Sequence, residues 1–428
     1  MNEATRTFVR QHADDDVRML ALRGVKDPEV ELSLALQQIQ GRQKARQKLP
    51  SWAACEGLLY PAHLSMEQCS SEQTARYKAA ICGSVVARCS SAVCCDSVAT
   101  DETRGPMDAP ARAVKGAKGA FFVDLTGGFG VDFAFMAPLF AKAIYVERQE
   151  ELCQIARHNF EALGLKNTTI VCGDGTDYLR LLDRKATLIF LDPARRDEHG
   201  GRTYGIADCT PDVLQLRDEL LQKGDCVLLK LSPMLDWRKT VEDLGRDCVR
   251  EVHIVSAGGE CKELLLLLSR QTPASPLKVV CVNDDEVFEF TPEQDNTNLL
   301  PLPSHLIPQT TFLYEPNASI MKAGCFAELS VRFGVAPLAQ NSHLFVSAER
   351  VGEFPGRAFR VEAVSTMNKR ELKEKVLPLK QANITVRNFP LSVAELRKRL
   401  KLSEGGSAYL FATTLADGNH VLIVCQRL

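Results

Sequence analysis

Tryptophan and tyrosine are scarce in this chain of 428 residues, at two and seven, which leaves few flat platforms for stacking a nucleic-acid base. Long apolar runs are missing too. The five leucines from Leu264 to Leu268 make a run no longer than a strand, against the ~18 apolar residues that a membrane span needs. No charged-then-apolar leader follows Met1, so a cytoplasmic location is expected. The 15 cysteines are about 3.5% of the chain, below the ~8–10% of disulfide scaffolds. They include no C-x-x-C pair, so no metal site is expected. Most, such as Cys172, Cys226 and Cys281, fall inside apolar runs and read as small core residues. No G-x-x-x-x-G-K-[ST] occurs, so nothing supports a P-loop.

What is present begins at Phe121-Phe-Val-Asp-Leu-Thr-Gly-Gly-Phe-Gly130. An apolar strand ends on Asp124 and turns through Gly127, Gly128 and Gly130, as a strand must to hand its chain to a helix around a nucleotide-like ligand. Three more apolar runs follow at α/β spacing, and each ends on an acid. They are Ala143 to Glu147, Thr169 to Asp174, and Thr187 to Asp192, with helical stretches at 150–163 and 176–184 between them. In an open parallel sheet, strand carboxyl ends share one crevice. Four acids therefore point into it.

The glycines choose among cofactors. The dinucleotide fingerprint uses a third glycine for close helix packing, and here that position is Phe133. NAD and FAD are disfavoured. Acids are poor company for phosphates and suit S-adenosylmethionine: Asp124 for its amino group, Glu147 for the ribose hydroxyls, Asp174 for the adenine amine. The loop neighbours Thr126, Arg148 and Gly175 complete the expected binding set.

On these residues, 121–270 resembles the class I S-adenosylmethionine-dependent methyltransferases. One departure is Thr126, which stands where D-x-G-x-G-x-G has its first glycine; RNA guanine-N2 methyltransferases have similar loops, such as D-A-T-A-G-L-G. The chain as a whole resembles bacterial methyltransferases with a C-terminal THUMP-like domain. The resemblance implies an α/β chain: a Rossmann-like sheet, an N-terminal helical region and small C-terminal α+β domains. The expected division is helical to residue 93, a flexible connection over 94–120, the methyltransferase domain over 121–270, a ferredoxin-like α+β unit over 271–323 and a THUMP-like RNA-binding domain over 324–428.

Substrate class should be legible in Asp192-Pro-Ala-Arg195. In amino-methyltransferases the similar D/N-P-P-Y/F sets a carboxylate and a carbonyl against an exocyclic amine, and aligns its lone pair by positioning alone. The resemblance implies Asp192, Pro193 and Arg195 as catalytic residues. Arg195 replaces the aromatic, so stacking must come from an arginine plane or from Tyr204. D-P-P-R also occurs in uracil-C5 methyltransferases, whose cysteine would sit at Leu231 in Lys230-Leu-Ser-Pro233. Covalent uracil chemistry is not expected. Arg196, Lys230 and Ser232 are further candidates for the substrate pocket. Each acid taken singly has a plainer explanation, since a strand-end Asp is often just a helix N-cap. Arg195 and Arg196 could equally pair with Asp197 and Glu198, and Lys230 and Ser232 could only line a wall.

The flanks differ from the middle. Residues 1–93 carry helical patterns, with Asp27 before Pro28 placed to cap a helix. Four basic residues alternate through 42–48 and read as a solvated face, with a phosphate contact as the alternative. Residues 351–428 hold 13 Lys plus Arg against 7 Asp plus Glu, a balance of 13 − 7 = +6 in a chain of net −2. That is the footprint of nucleic-acid binding, concentrated at Lys369, Arg370, Lys373, Lys375 and Lys380 and again over 397–401. The expectation is methylation of a base in structured rRNA or tRNA. The alternatives are a protein or small-molecule acceptor, or a silent S-adenosylmethionine-binding scaffold.

Overall fold

The computed structural model describes residues 1–91, 117–195, 205–270, 276–292, 301, 303 and 311–428. The connection expected over 94–120 lies outside them as far as residue 116. The chain divides into two compact units, one of 1–252 with 263–276 and one of 253–262 with 277–428. Among the described residues, no helix is long and apolar enough to cross a membrane.

The first unit opens with six helices: α1 (Glu3–Gln11), α2 (Val17–Arg23), α3 (Leu32–Lys48), α4 (Pro50–Ala54), α5 (His63–Gln68) and α6 (Glu72–Ser91). Side-chain caps start the first two, where Asn2 accepts the Thr5 N–H and Asp16 accepts those of Arg18 and Met19. Val9, Leu20, Val30, Ala35 and Ile39 close a small core beneath them. Asp27 does not cap a helix. Its carboxylate accepts the Glu29 N–H at 2.9 Å and closes a turn, and α3 begins only at Leu32. Three of the four basic residues at the end of α3 are tied down within the unit. Arg46 pairs with Asp14, Lys44 with Glu67 at 2.9 Å, and Lys48 donates to the carbonyls of Met66 and Glu67.

A sheet follows, of β1 (Ala117–Asp124), β2 (Phe140–Glu147), β3 (Thr168–Cys172), β4 (Ala186–Leu191), β5 (Gly224–Leu231), β6 (Val249–Ala257) and β7 (Glu260–Leu268). These strands run in the order β3-β2-β1-β4-β5-β7-β6. The first five are parallel, and β7 pairs antiparallel with β5. The order turns back between β1 and β4, which places a ligand crevice at their carboxyl ends. The intervening helices are α7 (Val131–Met136), α8 (Glu150–Ala162), α9 (Gly175–Leu181), α10 (Val213–Lys223) and α11 (Trp237–Leu244). Phe133 on α7 is fully buried, stacked on Phe122 and Phe160 with centroids 5.6 and 5.0 Å away. An aromatic layer thus fills the gap that a third glycine would have closed. Cys226 and Cys281 are core residues as expected, but Cys172 is exposed. It is the last residue of β3, the outermost strand, which is buried at none of its five residues.

In the second unit the hairpin of β8 (Lys278–Asn283) and β9 (Glu286–Phe290) precedes an α/β array. That array is β10 (Phe312–Pro316), α12 (Ala318–Ala323), α13 (Phe326–Phe333), β11 (Ala336–Pro337), β12 (Phe345–Ser347), β13 (Gly356–Thr366), β14 (Asn383–Arg387), α14 (Val393–Leu400), β15 (Ala408–Thr414) and β16 (His420–Arg427). The strands form one sheet in the order β11-β12-β10-β13-β16-β15-β14. Leu313, Phe359, Phe411 and Ile423 fill one apolar layer; Leu396, Leu400, Leu410 and Leu422 fill another. Buried Glu315 on β10 receives Arg357 of β13 and Arg387 of β14, whose Nη2 donates at 2.8 Å. Helix α14 begins with a capping box between Ser392 and Glu395.

Candidate active site

The glycine loop is built by local demands. Gly130 opens α7 in a left-handed conformation (φ 84°), and a Cβ on Gly127 would lie 2.2 Å from the Tyr145 ring. Only glycine satisfies both. Asp124, at the end of β1, is 1% exposed and accepts the Thr126 N–H at 2.9 Å. Burial pushes its carboxyl well above the usual range, and Asp132, Asp192 and Glu147 add to the effect against the Thr126 amide. Glu147, at the end of β2, engages both oxygens. One accepts the Gly128 N–H at 2.9 Å and the other the Gln149 N–H at 2.8 Å. The Tyr145 hydroxyl donates to the Gly128 carbonyl, so β2 grips the loop twice.

Asp174 caps α9, accepting from the amides of Thr176 and Asp177. The Thr176 hydroxyl bond holds its carboxyl below the ordinary range, against partial burial and with help from those amides and from Arg148. The plainer role of an N-cap is therefore real here, and Asp174 nevertheless stays exposed at the carboxyl end of the sheet. Arg148 is exposed beside it, and Gly175 is confined, since a Cβ there would meet the Leu125 carbonyl oxygen at 2.1 Å.

Asp192 follows β4, half-buried, and its N–H donates to the Thr126 hydroxyl at 2.7 Å. The residue that replaces the loop's usual first glycine thus ties the loop to the acid-proline turn. Asp192 Oδ2 receives the Lys230 ammonium from the end of β5 at 2.5 Å. Lys230 also faces Asp132 Oδ2 at 3.8 Å. Burial pulls its pKa down, but Asp192, Asp132 and Glu263 carry it above its ordinary value. Lys230 therefore turns inward to these carboxylates. Ser232 is half-buried and accepts the Met234 N–H at 3.2 Å.

Behind this pair lies a buried ionic cluster. Lys78 of α6 is fully buried, with Nζ 2.7 Å from both oxygens of Glu263 and 3.2 Å from Asp132 Oδ1. The Ser70 hydroxyl donates to Asp132 Oδ2 at 2.7 Å. Burial alone would raise the Asp132 carboxyl, but Lys78, Lys230 and Ser70 bring it below the usual range. Glu263 is raised, burial outweighing the two lysines. Removing one member of such a cluster strands an uncompensated charge at a cost of about 3–5 kcal/mol.

The structure brings Asp124, Thr126, Gly127, Gly128, Gly130, Glu147, Asp174, Gly175, Asp192, Pro193 and Lys230 to one end of the sheet. Arg196 and Tyr204 lie outside the described residues, as does the Arg195 side chain. Sequence reading missed Lys78, Asp132 and Glu263. Lys78 and Glu263 are 185 positions apart, and no local pattern joins them. The one available signal was a lysine inside the otherwise apolar face of α6. Among the described residues, no group of three or more His, Cys, Asp or Glu is arranged to hold a metal.

Three family profiles match the chain: protein-L-isoaspartate(D-aspartate) O-methyltransferase over 113–179, a ferredoxin-like domain over 312–355 and a THUMP domain-like segment over 356–427. A crystal structure from Porphyromonas gingivalis W83, assigned to the methyltransferases, superposes with a TM-score of 0.80 at 33% identity, covering 100% of this chain and 99% of that one. An uncharacterized S-adenosylmethionine-dependent methyltransferase of Mycobacterium tuberculosis is 24% identical over 299 residues, 69% of this chain and 78% of its own length. The protein-L-isoaspartate O-methyltransferase of Thermotoga maritima is 36% identical over 61 residues, 14% of this chain and 19% of its own. A full-length relative at this identity, with the strand order and loop above, settles the family: the chain belongs to the class I S-adenosylmethionine-dependent methyltransferases that carry a THUMP-like domain at the C-terminus.

Proposed function

We propose that the chain transfers a methyl group from S-adenosylmethionine to an exocyclic amine of guanine or adenine in structured RNA, either rRNA or tRNA. The observation that carries this reading is Asp192, held at the crevice with one carboxylate oxygen on Lys230 and the other free to accept from an amine. The exposed cations of the THUMP-like segment support an RNA acceptor: Lys369, Arg370, Lys373, Lys380, Lys398, Arg399 and Lys401 all face solvent.

The residues present fit the cofactor. A Cβ on Gly128 would meet nothing closer than the Thr126 carbonyl oxygen at 3.9 Å, so the loop has open room beside it. Glu147 would take the ribose hydroxyls, Asp174 the adenine amine and Asp124 the amino group, with Thr126, Gly127, Gly128, Gly130, Arg148 and Gly175 shaping the walls. S-adenosylmethionine supplies a methyl group already activated on a sulfonium. Asp192 Oδ1 and the Pro193 carbonyl would accept the two amine protons, turning the nitrogen lone pair toward that methyl. As the nitrogen–methyl bond forms and the sulfur–methyl bond breaks, with S-adenosylhomocysteine leaving, the nitrogen would shed one proton and Asp192 Oδ1 would take it. Arg195, Arg196, Tyr204 and Ser232 are proposed to hold the base and its flanking phosphates.

The test is transfer of labelled methyl to total RNA from a strain lacking this gene. Label should enter one RNA species. Glu147→Ala should abolish cofactor binding, and Asp192→Ala should bind the cofactor and lose turnover. Full turnover by Asp192→Ala would overturn the catalytic assignment. Cofactor binding with no label in any RNA would move the acceptor to a protein or small molecule.

A further inference from the structure

The ionic cluster behind Asp192 has no counterpart in the sequence motifs, and its composition is unusual for a buried site. Three carboxylates and two ammoniums alternate from the interior outward: Glu263, Lys78, Asp132, Lys230, Asp192. Lys78 is 0% exposed and Glu263 2%. Burying two ammoniums is expensive unless each is fully paired, and an apolar filling would have closed the same space. The arrangement has a direction. Each cation sits between two anions, and only the last anion, Asp192, reaches the crevice.

We propose that Lys230 is the positioning residue for Asp192, and that Lys78 of the N-terminal helix α6 fixes Lys230 in that role by occupying Asp132. The inference rests on the reading of Asp192 as the carboxylate that meets the acceptor. Lys230 has two anions within reach, Asp192 Oδ2 at 2.5 Å and Asp132 Oδ2 at 3.8 Å. Asp132 is already served by the Lys78 ammonium at 3.2 Å and the Ser70 hydroxyl at 2.7 Å. Its demand on Lys230 is thereby reduced, and the shorter pairing goes to Asp192. Held by one oxygen, Asp192 keeps one orientation and offers the other oxygen outward. The backbone bond from Asp192 N–H to Thr126 fixes the other end of the same residue. The helical region is accordingly a part of the catalytic centre: α6 supplies Lys78, and the segment before it supplies Ser70.

A displacement of about 1 Å at a reacting group costs on the order of 10²-fold in rate. Lys230→Met should therefore lower kcat by about that factor in the RNA methyl-transfer assay, with KM for S-adenosylmethionine little changed and Lys230→Arg recovering most of the loss. Lys78→Met alone strands Glu263 and could unfold the domain. The informative variant is Lys78→Met with Glu263→Met, which removes a cation and an anion together and leaves Lys230 to Asp132. It should fold, bind S-adenosylmethionine and lose kcat much as Lys230→Met does. The pairing is also read without any acceptor, by a double-mutant cycle in denaturant unfolding with Lys230→Met and Asp192→Asn, where the two effects should be non-additive. Additive effects there, or wild-type kcat in Lys230→Met or in the folded Lys78→Met/Glu263→Met variant, would overturn the inference. Full turnover by Asp192→Asn would instead remove the reading of Asp192 on which it stands.

Discussion

Asp124 is the residue whose burial and charge conflict most openly. It sits buried at the end of β1, with three other carboxylates near enough to push its pKa up further. A raised folded-state pKa has a definite consequence for stability. Below the ordinary Asp value of 3.8, both folded and unfolded chains hold the proton, and folding suffers no penalty. As pH rises from there through the raised folded value, the unfolded chain ionises first. Stability then falls, by about 1.4 kcal/mol for every tenfold difference between the folded and unfolded acid constants. Asp124→Asn removes the titration, so its stability relative to the wild type should climb as pH is raised from about 4 through that range. Denaturant unfolding at a series of pH values, without cofactor, checks this. A difference that stays flat with pH would show that Asp124 is not penalised in the fold. The proposed cofactor contact fits the same conflict, because a cationic amino group would relieve the carboxylate. The acid itself was legible in the sequence from its place before the glycines. Its raised pKa was not, since that depends on burial and on Asp132, Asp192 and Glu147 arriving from other elements.

Among elements, the β1 exit and the α9 start approach too closely for a side chain between them. Gly175 opens α9 immediately after its cap Asp174, and the Leu125 carbonyl lies against the face where a Cβ would be. The clashing atom is backbone, 2.1 Å from the added carbon, so no rotamer change can relieve it. Gly175→Ala should therefore force β1 and α9 apart at a cost of about 1–3 kcal/mol, and should weaken S-adenosylmethionine binding by displacing Asp174. Gly173→Ala is the matched control, since a Cβ there meets nothing within 4 Å. Thermal unfolding and cofactor titration of the two variants should separate them clearly. Equal tolerance would mean that the close approach is absent. The elements were largely readable: each strand run ending on an acid became a strand, because apolar runs bounded by turn residues leave little choice. The start of α3 was misread at Asp27 because an Asx turn and a helix N-cap use the same side-chain bond over the first residues. Lys78 stayed invisible for a different reason. Its partners are supplied by α7 and β7, and a lone lysine on the apolar face of α6 does not say which acids meet it.

For the whole molecule the open matter is how a chain of net charge −2 would hold a polyanion. Concentration of positive charge at one end is the physical answer that the sequence suggested, and side-chain environments refine it. Lys375 donates to the Val364 carbonyl and Arg397 to the Ala382 carbonyl, so both are committed to the fold. Lys398, Arg399 and Lys401 remain exposed on and just after α14. Each phosphate neutralised by such a residue releases condensed counterions, so affinity falls linearly with salt on logarithmic axes, by about 0.7–0.9 per contact. Replacing Lys398, Arg399 and Lys401 together by glutamine should therefore flatten the slope by about two to three and weaken binding at low salt for every RNA sequence alike, because phosphate contacts carry no base information. Methyl transfer at saturating RNA should survive, since none of the three lies in the sheet that carries Asp192. Binding measured from low to moderate salt, wild type against the triple variant, gives the slope directly. An unchanged slope would place the phosphate contacts elsewhere on the molecule. A wild-type affinity that hardly responds to salt would count against RNA as the acceptor altogether, because no protein holds a phosphate backbone through a basic surface without displacing its ions.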